Sequence, residues 1–253
     1  IGFDLWETLI TDTAELSREQ ERLRLTRMEA ILTARGHAAE AVRIERAYRA
    51  LWHRCLELYW SVDVDVPCRR QIEHFLEHLG LDPASFADEA LDELELAYAN
   101  AAVEVPPAIV AGADTVLPAL RERGLRIGLI SNTGRTPGYA LREILRGHGL
   151  AEHIEVMVFS NEHGACKPQP SIFEELRRGL GVAYEEMMFV GDNLHVDVYG
   201  AQQCGIKAVH FEPPARGTAV APPVGIEGSV VPDARITRLE EVIDLVDRLI
   251  AAA

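Results

Sequence analysis

Three carboxylates, a lysine and a serine stand along this chain where their chemistry would suit phosphorus. Asp4 follows a short apolar entry, Ile1-Gly2-Phe3. Ser131-Asn132-Thr133 closes the run "LRIGLI", and Lys167 lies in "NEHGACKP". Asp192 closes "MMFVG", and Asp197 comes five residues later. A carboxylate can attack phosphorus and form an aspartyl phosphate. Two carboxylates, Asp4 and Asp192, can share one Mg²⁺ with a carbonyl and waters. The metal would offset repulsion between an anionic nucleophile and an anionic substrate. Lysine and serine can bind the phosphoryl oxygens. Taken singly, each residue has a plainer reading: a strand-end aspartate caps a turn, and a lone lysine is solvated. Together, each at the exit of an apolar run, they point to one shared place.

The elements between them say where that place is. Between about residues 15 and 103 the sequence reads as four amphipathic helices, with apolar residues repeating at three and four. Ser17 and Gln20 have capping-box spacing at the start of the first, and Gly36 ends it. Pro106-Pro107 closes the block. Strands then alternate with helices: "LRIGLIS", "GYALREILRGHGL", "IEVMVFS", "SIFEELRRGLG" with Ser171 and Glu174 as a capping box, "MMFVGD", "VDVYGAQQCG" and "IKAVHF". Residues 212–232 read as a long Pro/Gly-rich loop, and Thr237 and Glu240 open a last helix. Such alternation predicts an α/β fold, a doubly wound parallel (Rossmann-like) sheet. The core takes residues 1–13 and 104–253, and an all-helical insertion takes 14–103. In such sheets the ligand crevice lies at the carboxyl ends of the strands, where all five residues fall.

Composition bounds the partners. The chain has 253 residues and a formal charge of −15, with no Lys/Arg-rich stripe to replace phosphate counterions. A nucleic-acid partner is excluded, and a small, anionic molecule is expected as substrate. No apolar run reaches the roughly 20 residues of a bilayer span, and no leader pattern opens the chain. Cys55, Cys68, Cys166 and Cys204 show no metal-binding spacing and read as reduced thiols of a cytoplasmic protein. A homodimer is left open.

The four motifs, in this order, resemble the haloacid dehalogenase superfamily of hydrolases, subfamily I with a helical C1-type cap. "DLWET" is similar to its first motif at Asp4 and Thr8, "IGLISNT" to its second at Ser131, "KPQPSIF" to its third at Lys167, and "GDNLHVD" to its fourth at Asp192 and Asp197. The resemblance implies Asp4 as nucleophile and metal ligand. It also implies that Trp6 offers its backbone carbonyl to Mg²⁺, that Asp192 is a metal ligand, and that Asp197 supports the metal site or Lys167. Ser131 and Lys167 would hold the transferring group. Asn132 and Thr133, at the crevice mouth, and His53, from the cap, are candidate substrate-binding residues.

One position departs from the pattern. Phosphatases of the family carry a second Asp two residues after the nucleophile, and here Trp6 stands there. An indole N–H only donates and has no accessible pKa for acid–base work. A phosphohydrolase would then use another acid, such as Glu7 or His53, or a leaving group that needs none. The family's dehalogenases often have an aromatic residue at this place but lose the Gly-Asp pair that is intact here at Gly191-Asp192. The reading is therefore a Mg²⁺-dependent phosphohydrolase. Dehalogenase-type hydrolysis, or a weakly catalytic binding relative, is the alternative. Trp52 and Tyr59, seven apart, read as a core stripe of one helix, and His195 as a solvated helix start. Cys166 reads as a buried filler.

Overall fold

The computed structural model describes residues 1–213 and 230–251. Most of the expected 212–232 loop therefore lies outside the described residues. The elements in chain order are β1 (Gly2–Phe3), β2 (Ile10–Thr11), α1 (Ala14–Ala34), α2 (Ala41–Leu58), α3 (Cys68–Leu79), α4 (Asp88–Ala99), α5 (Ala101–Glu104), β3 (Ala108–Ile109) and α6 (Ala113–Glu122). They continue with β4 (Gly128–Ser131), α7 (Gly138–Gly147), β5 (Val156–Phe159), α8 (Ser160–His163), α9 (Pro170–Leu180), β6 (Met188–Gly191), α10 (Gly200–Gln203), β7 (Lys207–Phe211), β8 (Ala234–Ile236) and α11 (Glu241–Ala251). A π-helical turn, Leu194–Tyr199, precedes α10. No helix among the described residues is long and apolar enough to cross a membrane.

The main sheet has six strands in the order β5-β4-β1-β6-β7-β8, every pair parallel. The expected doubly wound α/β architecture is what forms. Its strands show why. Successive side chains point to opposite faces, so Leu129, Val190 and Val209 join one buried cluster with α6, α7 and α11. Ile130, Phe189 and Ala208 join another with α9 and α10. With both faces covered, the strands must be apolar throughout, which is how they read.

Between β2 and β3 lies the helical block, α1 to α5, with a buried cluster of its own around Met28, Leu51, Phe75 and Tyr98. Gln20 ties its two ends together by donating to Asp12 Oδ1 at 2.9 Å and to the Val105 carbonyl at 3.0 Å. That contact overturns the expected capping box. The N-cap of α1 is Thr13, whose hydroxyl accepts from Leu16 N, so Ser17 lies inside the helix. Ser171 likewise sits inside α9, because Pro170 takes the first helical position, where a missing N–H costs nothing. The last helix starts one turn later than expected, and Glu241, not Glu240, receives the Thr237 and Arg238 amides.

Sequence reasoning passed over α6, β2, β3 and β8. Helix α6 carries Pro118 within it, which reads as a breaker. Strands β2 and β3 are two residues each and pair antiparallel from nearly a hundred residues apart. Strand β8 has three residues.

Candidate active site

The parallel sheet brings the predicted residues to one end. Asp4 leaves β1 with its N–H on the Val190 carbonyl, 2.9 Å away. Ser131 ends β4, and Asp192 follows β6. Lys167 reaches in from the loop after α8 and is 1% exposed. Its Nζ donates to Asp4 Oδ1 at 2.5 Å and to Asp197 Oδ1 at 2.6 Å. Thr8 Oγ1 donates to the other Asp4 oxygen at 3.2 Å. Asp197 Oδ2 accepts from Asn193 N at 3.0 Å, which folds the loop after Asp192 over the cluster. Gly191 makes room for this: a Cβ there would lie 2.4 Å from the Asp197 carboxyl carbon.

Electrostatics follow from burial. Asp4, Asp192 and Asp197 are all buried, and one carboxylate oxygen from each lies within 4.8 Å of the others. Desolvation lifts the Asp4 carboxyl to about 7; Lys167 opposes the rise and Asp197 adds to it. Burial would lower the Lys167 ammonium, but the charges of Asp197 and Asp4 outweigh it and raise its pKa. Among the described residues, the Lys167 ammonium pairs with Asp4 and Asp197, two of the three carboxylates in this cluster. Like charges this close ionise together only when a cation joins them. The donors are all oxygen, the set a hard divalent cation prefers. The Ser131 hydroxyl is buried with no hydrogen-bond partner among the described residues. An orphaned buried hydroxyl is costly, and a ligand oxygen would satisfy it.

The other predicted residues are placed differently. Both polar atoms of the Asn132 side chain are taken by the Lys167 main chain: Nδ2 donates to its carbonyl at 3.0 Å and Oδ1 accepts its N–H at 2.8 Å. Thr133 is buried, its N–H on Ser160 Oγ and its hydroxyl on Asp65. Both side chains, and the Thr133 N–H, are thus engaged within the protein. Asn132→Ala is therefore expected to lower kcat about tenfold with little change in KM, because it frees the lysine's backbone and leaves its N–H and C=O unpaired. Steady-state kinetics would show the split. His53 is exposed on α2. Trp6 is half-buried, packed on the β1 core cluster. Glu7, with a left-handed backbone (φ 61°), turns its carboxylate to Thr11 Oγ1 at 2.9 Å.

Two expectations change. Trp52 is not in the buried stripe of α2, which is Ile44, Ala47, Tyr48, Leu51 and Cys55. It faces the sheet domain, and the Arg135 guanidinium stacks on it at 4.4 Å and on Tyr48 at 4.6 Å. His195 is half-buried and stacked on Tyr199, not solvated. Tyr59 does pack on the helical cluster and hydrogen-bonds His74. Burial raises the Cys166 thiol, which fits a filler. Sequence reasoning missed His210, buried on β7, whose Nε2 donates to the Asp192 carbonyl at 3.0 Å. It also missed Asp65, whose carboxylate accepts from Thr133 and Ser160.

The pattern of the haloacid dehalogenase-like hydrolases matches residues 1–205. The chain belongs to this family. Among similar curated proteins of the family is a glyceraldehyde 3-phosphate phosphatase of Pyrococcus abyssi, 33% identical over 216 residues, covering 84% of this chain and 80% of the relative. Another is a phosphoserine phosphatase of Thermus thermophilus, 36% identical over 162 residues. That match covers 64% of this chain and 60% of the relative. Among solved structures, a 2-haloacid dehalogenase from Pseudomonas syringae superposes with a TM-score of 0.68 at 24% identity, covering 98% of this chain and 97% of that one. A haloacid dehalogenase-family phosphatase from Thermococcus onnurineus gives 0.59 at 22% identity, covering 97% and 96%. At these identities the structural matches speak for the fold alone.

Proposed function

We propose that this family member is a Mg²⁺-dependent phosphohydrolase of a small phosphorylated metabolite, working through an aspartyl phosphate on Asp4. The observation that carries the reading is the buried cluster of Asp4, Asp192 and Asp197, with Lys167 bridging Asp4 and Asp197. Relatives named as phosphatases of phosphoserine and glyceraldehyde 3-phosphate support a small phosphate ester as substrate. Asp4, Asp192 and the Trp6 carbonyl would hold the metal, with Asp197 behind them. What Mg²⁺ supplies when bound is positive charge between the anionic nucleophile and the anionic substrate.

The chain's own residues do the rest. Lys167 and Thr8 hold the two Asp4 oxygens, which fixes the carboxylate's direction. An Asp4 oxygen bonds to phosphorus as the bond to the leaving oxygen breaks, and that oxygen departs with the electron pair. The Ser131 hydroxyl and Lys167 bind oxygens of the transferring group. Water then attacks the aspartyl phosphate, releasing phosphate and restoring Asp4. The helical block meets the loop after β4 through Asp65 and Gln71 and would serve as a cap against bulk water.

Trp6 shapes the substrate preference. With an indole where the family's phosphatases place an acid, nothing at that position protonates the leaving oxygen. Turnover should therefore rise steeply as the leaving group's pKa falls. A series of aryl phosphates measured with and without Mg²⁺ tests this: a steep slope and metal dependence are expected, and a flat slope would mean that another acid serves. The second reading is hydrolysis of a carbon–halogen bond through an aspartyl ester. Trp6 favours it, since halide leaves unprotonated, but it leaves the Asp4–Asp192 pair without purpose. Halide release from 2-haloacids without metal would bring it forward.

A further inference from the structure

Asp65 belongs to the helical block, yet its carboxylate is built into the crevice of the sheet domain. It is 3% exposed. Its Oδ2 accepts from Ser160 Oγ at 2.5 Å and from Thr133 Oγ1 at 3.1 Å. Its Oδ1 accepts from Trp60 Nε1 at 2.9 Å and from Val66 N at 2.8 Å. Ser160, whose hydroxyl donates to Asp65, accepts the Thr133 N–H at 2.9 Å. The donors thus converge on the turn two residues beyond Ser131, and on the residue that follows β5.

The surrounding backbone makes the contact firm. Val64 pairs with Ala165 in an antiparallel bridge. Asp65 N donates to the Gly164 carbonyl at 3.2 Å, and Cys166 N to the Asp63 carbonyl at 2.8 Å. Cys166 immediately precedes Lys167. One segment of the helical block therefore grips both chains that carry the proposed phosphoryl-binding groups. With the covalent linkers and the Arg135 stack on Trp52, it ties the block to the sheet.

We propose that Asp65 is a positioning residue: its carboxylate holds the Ser131–Thr133 turn in the geometry that the transferring group needs. Only a carboxylate suits the place, because both oxygens must accept from two donors each. An asparagine would set its NH₂ against one pair in either orientation. The effect on turnover rests on the phosphohydrolase reading; the effect on the turn does not.

The test uses the full chain with Asp65→Asn, Thr133→Val and Thr133→Ser. Hydrogen exchange in Asp65→Asn should lose protection at the Thr133 amide while the amides of 192–197 keep theirs. With p-nitrophenyl phosphate and Mg²⁺, kcat should fall about tenfold in Asp65→Asn and in Thr133→Val. KM should stay within about threefold, and Thr133→Ser should restore the rate. Unchanged Thr133 protection in Asp65→Asn, or a Thr133→Val kcat within about twofold of the wild type, overturns the proposal. Should the wild type itself fail to turn over, the phosphohydrolase reading falls, and the exchange result alone decides for Asp65. Should Asp65→Asn fail to fold, the two Thr133 variants decide.

Discussion

Asp4→Asn should lower turnover of p-nitrophenyl phosphate by about 10⁴-fold or more, the scale on which enzymes lose a nucleophile. The side chain keeps its volume, so the packing between β1 and β6 is retained. What goes is the reacting oxygen: an amide is a poor nucleophile, and its NH₂ group in one orientation faces the Lys167 ammonium. In the other orientation the amide oxygen still accepts from Lys167, so the lysine keeps both neighbours. Asp4 is 6% exposed, and desolvation already works against its charged form. The neutral variant should consequently melt no lower than the wild type in EDTA. Thermal denaturation and phosphatase assays on one preparation separate lost chemistry from lost fold. A variant that keeps more than about one part in a hundred of the wild-type rate would remove Asp4 from the nucleophile's role.

Lys167→Met should be damaging in a different way. Lys167 is among the largest fully buried side chains, and both its charged partners are buried. Removing one partner of such a pair leaves uncompensated charge in the interior, at a cost of about 3–5 kcal/mol. Here two carboxylates would be left facing each other beside Asp192. Methionine fills nearly the same volume, so a cavity contributes little. The variant should show a fall in Tm of several degrees in EDTA, partly recovered by millimolar Mg²⁺, because a divalent cation replaces some of the missing charge. Turnover should fall by at least about 10²-fold even with the metal, since the hydrogen bond to the transferring group is gone. A Tm unchanged in EDTA would show that Lys167 does not offset the carboxylates as its contacts imply.

Much of this site was legible in the sequence because its residues obey local rules. A carboxylate or hydroxyl at the end of an apolar run is visible as a strand exit, and parallel topology then carries Asp4, Ser131 and Asp192 to one edge. The helical block was legible from its periodicity alone. What stayed hidden depends on distance in the chain. Asp65 finds its partners 68 and 95 residues away, and nothing in "SVDVDVP" marks it. The commitment of the Asn132 side chain to the Lys167 backbone is equally invisible, since its partner lies 35 residues away. Trp52 was misread for a related reason. Seven-residue spacing from Tyr59 suggests one stripe, but Trp52 lies to the side of that stripe and meets Arg135 from the facing domain.

The most direct measurement of the central claim is peptide mass mapping of enzyme acid-quenched during turnover of p-nitrophenyl phosphate with Mg²⁺. One phosphoryl group on Asp4, absent from Asp4→Asn and from enzyme held in EDTA, is the predicted result. Turnover that proceeds with no phosphoenzyme, or with the phosphoryl group on another residue, would contradict it.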